Sequence, residues 1–133
     1  LVVYESPLQV LPDSPYNYRS SPAGLEFLKH VPTTWDDTIV IDGYPGSHIV
    51  MARQAGDAWY LGAMTGSEPR RIGLSLDFLA EGATYQAEIY ADAPTATTHP
   101  SRLSMEERSV QKGDVLIANM VKGGGLAVRF ERQ

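Results

Sequence analysis

The sequence predicts an all-β fold: an antiparallel two-sheet β-sandwich of about eight strands, of Greek-key type, preceded by a short helical segment. From Thr38 onward, apolar and polar residues alternate with a period of two, as they do in half-buried strands. Turn residues such as Asp42-Gly43 and Glu81-Gly82 separate these segments at intervals of about ten residues. The connections are too short for crossover helices, so we expect antiparallel pairing.

The alternation assigns each predicted strand a core face. In one strand Tyr85, Ala87 and Ile89 share a face, whereas Glu88 and Tyr90 share the opposite face. The more apolar face is expected to lie in the core. The predicted strands span residues 38–42, 47–54, 57–64, 70–76, 83–91, 102–111, 114–121 and 125–131.

The segment before Thr38 is predicted to be helical and is rich in proline. Ser21-Pro22 is a helix-start signal, because serine caps a helix and proline suits its first turn. Val31-Pro32 is expected to end that helix. Because natural N-termini are usually polar, an apolar start favours a piece of a longer protein. Four apolar residues recur near the start at helical spacing: Leu1, Tyr4, Leu8 and Leu11.

Composition excludes several classes of function. The chain has 133 residues and a formal net charge of −5, which argues against a nucleic-acid partner because phosphate binding needs a basic face. It has no cysteine, so disulfides, thiolate metal sites and cysteine nucleophiles are excluded. No apolar run approaches the roughly 20 residues of a membrane helix, so we expect no membrane partner.

Neither the carboxylates nor the histidines predict a catalytic residue or a metal ligand. Asp36 and Asp37 are adjacent, so in an extended chain their side chains point to opposite sides. Glu106 and Glu107 lie in a charge-mixed segment that is typical of a solvated strand edge. Three histidines lie at no metal-binding spacing: His30, His48 and His99.

The strand that contains Trp59 and Tyr60 is apolar on both faces, since Trp59 shares a face with Leu61 and Tyr60 shares one with Met64. One face is expected to form the sandwich core. The other face needs a cover, which could be a ligand, a helix or another domain. Another domain is favoured, because polar residues that would orient a sugar are sparse there.

The ordered motifs of the chain resemble the C-terminal end of glycoside hydrolase family 97. The resemblance covers nearly the whole chain and depends on the order and spacing of the motifs. They are Val2-Val3-Tyr4-Glu5-Ser6-Pro7-Leu8-Gln9-Val10-Leu11, Asp13-Ser14-Pro15, Val31-Pro32-Thr33-Thr34-Trp35-Asp36-Asp37-Thr38, Ala52-Arg53, Trp59-Tyr60-Leu61-Gly62-Ala63, Leu76-Asp77-Phe78-Leu79, Ala87-Glu88-Ile89-Tyr90 and Gly123-Gly124-Gly125-Leu126-Ala127.

The resemblance implies a domain organisation. Residues 1–31 resemble the end of a catalytic (β/α)8 barrel, namely its last helix and linker, and residues 32–133 resemble the C-terminal β-sandwich domain. The family consists of exo-acting α-glucosidases and α-galactosidases that depend on calcium, and its catalytic and calcium-binding motifs lie upstream. None of those motifs has a counterpart here, so the resemblance implies no catalytic, metal or cofactor residue in this chain. It implies Ca²⁺ and the α-glycoside substrate in the parent enzyme only, and a periplasmic or secreted bacterial location.

The resulting hypothesis is a non-catalytic domain that packs on the catalytic barrel of its parent enzyme, stabilises it and helps subunits form a homo-oligomer. The alternative is a free-standing carbohydrate-binding module, which predicts an exposed aromatic platform with polar neighbours. The candidate barrel-packing interface consists of Tyr4, Leu8, Leu11, Phe27, Trp35, Trp59 and Tyr60.

Overall fold

In the part of the chain that the structure describes, two short helices precede the strands. The structure is a computed structural model, and it describes residues 1–4, 6, 14–19, 22–98 and 102–133. Helix α1 spans Pro15–Arg19 and helix α2 spans Pro22–His30. The α2 bounds confirm the predicted start at the proline and the predicted end before Val31-Pro32. Within the described ranges, no helix has the length and apolarity needed to cross a membrane.

The eight strands confirm the predicted all-β fold. Every observed strand begins and ends within about two residues of its predicted bounds, which is the usual precision of boundaries read from sequence. The strands are β1 (Asp37–Tyr44), β2 (His48–Ala55), β3 (Ala58–Thr65), β4 (Arg70–Ser75), β5 (Thr84–Asp92), β6 (Leu103–Gln111), β7 (Val115–Met120) and β8 (Gly125–Arg132).

The strands form two antiparallel sheets. The larger sheet has six strands in the order β1-β2-β3-β8-β5-β6, and the smaller sheet pairs β4 with β7. The chain runs from β5 through β6 and β7 and then returns, so that β8 lies beside β5, which is a Greek-key connection. The six-stranded sheet is therefore exposed at two edges, β1 and β6.

The main core lies between the two sheets. The ring of Trp59 on β3 packs 5.0 Å from that of Phe78, which in turn lies 5.7 Å from the ring of Phe130 on β8. Trp59 is thus one of the residues of the inner face. The largest fully buried side chains of this core are Phe130, Leu61, Leu74, Leu76, Leu79, Val50 and Val128.

The glycine-rich connection from β7 to β8 is tied to the end of β5. The carboxylate of Asp92 accepts hydrogen bonds from the backbone N–H groups of Val121 at 2.9 Å and Gly125 at 3.2 Å. A Cβ atom on Gly124 would collide with this carboxylate, so the turn needs a residue without a side chain. Gly123 has a φ of 67°, which L-residues rarely adopt. These contacts fix where β8 enters the sheet.

Candidate interaction surfaces

The outer face of the six-stranded sheet carries an aromatic cluster that is separate from the main core. At its centre lies Tyr60 of β3, only 5% exposed. The ring of Phe27 on α2 lies edge-on to Tyr60 at 6.4 Å and to Tyr90 at 5.2 Å, and Trp35 lies edge-on to Tyr60 at 5.3 Å. Val2 is buried in the same cluster. Such ring pairs contribute about 0.5–1.5 kcal/mol each beyond burial, so the cluster fastens the N-terminal residues to the sheet.

Two backbone features complete this attachment. The Tyr60 hydroxyl donates a hydrogen bond of 2.7 Å to the carbonyl oxygen of His30, the last residue of α2. The terminal carbonyls of a helix lack partners within it, so this bond caps α2. Gly62 lies beneath Val2 and Val3, and a Cβ atom there would come within 2.8 Å of the Val3 side chain. The absence of a side chain at residue 62 thus allows the first residues to lie directly on β3.

A buried arginine borders the aromatic cluster. Arg53 is 4% exposed, and its guanidinium lies 5.6 Å from the centre of the Trp35 ring. A desolvated cation over an aromatic face gains about 2 kcal/mol. Among the described residues, the buried Nε of Arg53 and Nε1 of Trp35 have no hydrogen-bond partner.

A polar row crosses the same face. Tyr60, Arg129 and Glu88 are direct cross-strand neighbours on β3, β8 and β5. Arg129 makes ion pairs of 3.1 Å with both Glu88 and Glu131. Burial alone would lower the pKa of Arg129, but its hydrogen bond with Tyr60 and the two carboxylates outweigh burial and raise the pKa. Burial, followed by the charge of Glu88, raises the pKa of Tyr90. Arg129 therefore stays charged and serves to hold the row together.

A short hydrogen-bonded line of side chains lies at the β1–β2 turn. Ser47 Oγ is 3.1 Å from His48 Nδ1, and His48 Nε2 is 3.1 Å from Asp42 Oδ2. Arg70 Nη2 donates to Ser47 Oγ at 2.6 Å and so links the turn to β4. The backbone N–H groups of Ser47 and Gly66 already bond to carbonyl oxygens, so neither can stabilise an oxyanion. Ser47, His48 and Asp42 have the residue types of a nucleophile, base and acid, but the site has no oxyanion-binding group among these N–H groups. The spacing of the three residues in the sequence does not predict this arrangement.

The acidic residues weighed from the sequence lie apart or in structural roles. Asp36 Oδ2 accepts a hydrogen bond from the Gly56 N–H at 2.7 Å, and Asp37 Oδ1 accepts one from Thr38. Glu106 and Glu107 are consecutive in β6 and so point to opposite faces. His30 pairs with Glu26, and His99 lies outside the described residues. In the part of the chain that the structure describes, no group of three or more histidine or acidic residues could hold a metal ion.

A groove of about 900 Å³ is lined by residues of β5, β6 and the β4–β7 sheet. Four cations line it beside aliphatic residues such as Ile89 and Ile117: Arg70, Arg71, Arg108 and Lys122. None of the described residues that line it is aromatic, so this groove lacks the platform that a carbohydrate-binding module would use.

On the described strands, large apolar side chains are exposed at three places. Val40 and Tyr44 lie on edge strand β1, and Leu103 and Met105 lie on edge strand β6. The third place is strand β7 of the small sheet, where Val115 and Ile117, which also line the groove, are about half exposed. Exposed apolar groups on or near strand edges mark surfaces on which a second protein could pack.

The residues predicted to contact a barrel lie in four different settings. Phe27, Trp35 and Tyr60 form the aromatic cluster, where α2 of the same chain supplies the cover that we expected from another domain. Trp59 lies in the main core, and Tyr4 is 68% exposed. Leu8 and Leu11, with the helix predicted from their spacing, lie outside the described residues.

Comparison with known proteins identifies the family. A family model described as "Glycosyl-hydrolase 97 C-terminal, oligomerisation" matches residues 34–131. The chain belongs to this family. It is thus the C-terminal oligomerisation domain of a family 97 glycoside hydrolase, which confirms the resemblance seen in the sequence.

Relatives of this family 97 domain are much longer. The chain is 35% identical over 130 residues to a retaining alpha-galactosidase of Bacteroides thetaiotaomicron, covering 98% of this chain and 20% of that protein. It is 33% identical to a probable retaining alpha-galactosidase of Streptomyces bingchenggensis, covering 95% of this chain and 19% of that protein. The domain therefore spans about a fifth of the length of these relatives.

Solved structures share the fold of the domain. A family 97 enzyme from Pseudoalteromonas sp. strain K8 in complex with panose superposes with a TM-score of 0.87 and 38% identity, over 91% of this chain and 20% of that chain. A beta-arabinopyranosidase superposes with a TM-score of 0.74 and 33% identity, over 92% of this chain and 18% of that chain.

Proposed function

We propose that this domain works within an exo-acting hydrolase of α-glucosides or α-galactosides, where it packs on the catalytic barrel, stabilises it and helps subunits associate. Two observations support the parent activity: the named relatives include retaining alpha-galactosidases, and the domain spans only a fifth of their length. In this proposal the substrate and Ca²⁺ bind to the parent enzyme outside residues 1–133, and the enzyme is periplasmic or secreted in a bacterium.

The aromatic cluster is the observation that supports the packing role. It holds Phe27 and Trp35, which flank the end of α2, against Tyr60 on the sheet. Together with the capping bond to His30, these contacts fix the direction in which the chain enters β1. If residues 1–31 end the barrel and residues 32–133 form the sandwich, the cluster sets the orientation of one relative to the other.

The packing role is tested by truncating Leu8 and Leu11 to alanine in the full enzyme. We expect the melting temperature to fall, because each buried leucine that is truncated costs about 2–5 kcal/mol. The kcat of the folded enzyme, measured well below that temperature, should stay unchanged. The control is Val115→Ala, which removes a half-exposed apolar side chain from β7 of the small sheet. A melting temperature that Leu8→Ala/Leu11→Ala leaves at the wild-type value would contradict the packing role.

The absence of a catalytic role in this domain is tested in the same enzyme. Asp36→Asn should leave the hydrolysis of a chromogenic α-galactoside or α-glucoside unchanged, because the Asp36 carboxylate serves as a backbone acceptor for Gly56. A loss of kcat beyond tenfold with a normal melting temperature would show that Asp36 takes part in the chemistry.

A further inference from the structure

Strand β6 has an unpaired side. Among the described residues it pairs only with β5, so one row of its backbone N–H and C=O groups faces outward. Most of its side chains are exposed, and only Val110 is buried. An open strand edge can pair with another strand, so the question is which strand this edge fits.

A backbone hydrogen bond at the end of the β5–β6 ladder shows which residues of β6 face the open edge. Just before β6, the Arg102 carbonyl accepts a bond of 3.2 Å from the Ala93 N–H, in register with the β5–β6 ladder. Because bonded and non-bonded pairs alternate along antiparallel strands, the even-numbered residues of β6 bond to β5. The odd-numbered residues then direct their backbone groups outward. They are Leu103, Met105, Glu107 and Ser109.

A second copy of β6 could pair with this edge antiparallel about a two-fold axis perpendicular to the sheet. Residues directly opposite each other must point to the same face of the sheet. With a two-fold axis, this requires that one residue of β6 lie opposite the same residue of the other copy, with the axis between the two. We name each possible axis by that residue. An axis at Glu106 or at Arg108 places like charges directly opposite each other. An axis at Met105 sets Arg102 opposite Arg108, and an axis at Ser109 shortens the overlap.

An axis at Glu107 also places one pair of like charges opposite each other, but among these registers it alone overlaps the whole strand and forms two pairs of opposite charge. It sets Glu106 of each copy opposite Arg108 of the other, twice, in the non-hydrogen-bonded positions where side chains lie closest. It also pairs Met105 with Ser109 of the other copy, both of which direct backbone groups outward. Only the Glu107 carboxylates meet a like charge, and they lie on the opposite face of the strand from Arg108.

We propose that two copies of this chain associate through β6, antiparallel and centred on Glu107, to form one continuous sheet with two Glu106–Arg108 ion pairs. The proposal rests on the association role above and specifies its surface and register. Glu106 and Arg108 also line the groove, so the grooves of the two copies would meet at the two-fold axis.

Exchanging the charges of residues 106 and 108 in the complete 133-residue chain tests the register. Glu106→Arg and Arg108→Glu, made singly, should each raise the dissociation constant of the dimer about tenfold or more, because two attractive pairs become repulsive. The double variant Glu106→Arg/Arg108→Glu restores opposite charges in both pairs and should return the constant to within about threefold of wild type. Glu107→Gln should tighten association by removing the like-charge contact. Sedimentation velocity over a concentration series measures all four variants.

Matched controls carry the same charge changes elsewhere on the surface. Glu68→Arg lies in the β3–β4 loop and Arg132→Glu at the end of β8, and both residues are exposed. They should leave the dissociation constant unchanged. If the chain associates but the double variant is as weak as the single ones, the register is wrong while the association role stands. If the wild-type chain and the full enzyme are both monomeric at every concentration, the association role itself is overturned.

Discussion

The side chain of Tyr60 combines two kinds of contact at one residue. Its ring is the centre of the outer aromatic cluster, and its hydroxyl caps the last turn of α2 through His30. A phenylalanine could replace the first contact but not the second. The tyrosine hydroxyl therefore holds the helix end in place while the ring holds the face of the helix.

Substitution separates these two contributions of Tyr60. Tyr60→Phe removes the hydroxyl, which donates to the His30 carbonyl and accepts a hydrogen bond from Arg129. We expect a loss of about 1–2 kcal/mol in the free energy of unfolding. Tyr60→Ala also removes the ring and should cost about 3–5 kcal/mol. Urea unfolding measures both losses. Tyr44→Phe, at a tyrosine that is 70% exposed, should change nothing. Equal stabilities of Tyr60→Phe and wild type would show that the hydrogen bonds of the Tyr60 hydroxyl, the cap included, add no stability.

At the scale of elements, α2 is held on the sheet mainly through one side chain. Phe27 is its buried residue, in contact with rings on β3 and β5. The helix has only nine residues, too few to be stable alone in water, so its structure depends on this docking.

Phe27→Ala should therefore release α2 before the sandwich unfolds. Limited proteolysis should cut residues 22–31 at least about tenfold faster than in wild type, while the strands stay protected. Glu26→Ala on the same helix is the control, because it removes only exposed ion pairs with Lys29 and His30. Cleavage at the wild-type rate in Phe27→Ala would mean that α2 is held by other contacts.

The β1–β2 hairpin has a pH-dependent contact. The hydrogen bond from His48, helped by the Gly43 N–H, lowers the pKa of Asp42 below its ordinary 3.8. A carboxylate whose pKa is lower in the folded state stabilises that state above pH 3.8, and this contribution disappears as the pH falls through the folded value. We expect wild type to be more stable than Asp42→Asn at pH 6, and the difference to shrink as the pH falls below 3.8 and through the lower folded pKa. Thermal unfolding at a series of pH values measures it. A constant difference across the series would contradict the linkage.

The element scale also shows what the sequence could predict. Period-two alternation and the turn residues between the segments together located all eight strands, although β3 is buried on both faces and β6 is mostly exposed. It also placed Tyr90 on the same side as Glu88, and an aromatic residue on a polar face was the available signal of the second cluster. The pairing of β8 between β3 and β5 is long-range, so the row of Tyr60, Arg129 and Glu88 could not be read from local pattern.

At the scale of the whole molecule, the six-stranded sheet is covered at its centre and open at its edges. Strands β3 and β8 lie between the small sheet on one face and the N-terminal residues on the other. Strands β1 and β6 form the two edges. The centre of the sheet thus anchors the preceding segment, whereas the edges are available to other subunits.

The proposed parent enzyme makes a prediction at this scale. The polypeptide that carries this sequence in its source cell should have an intact mass several times 14.6 kDa, because the domain spans about a fifth of its relatives. Mass spectrometry of the native protein measures it. A native mass near 14.6 kDa would mean a free-standing domain and would make sugar binding the leading hypothesis.

The burial of Tyr60 and Tyr90 beneath α2 bears on how this module could be transplanted into another protein. The family match begins at residue 34, yet Phe27 and Val2 lie upstream of it and cover those two rings. A recombinant domain that starts at residue 34 would expose the apolar rings of Tyr60 and Tyr90 to solvent and tend to aggregate. A domain that is to fold in another protein should therefore start at α2 or earlier, so that it includes the helix together with the strands that the helix covers.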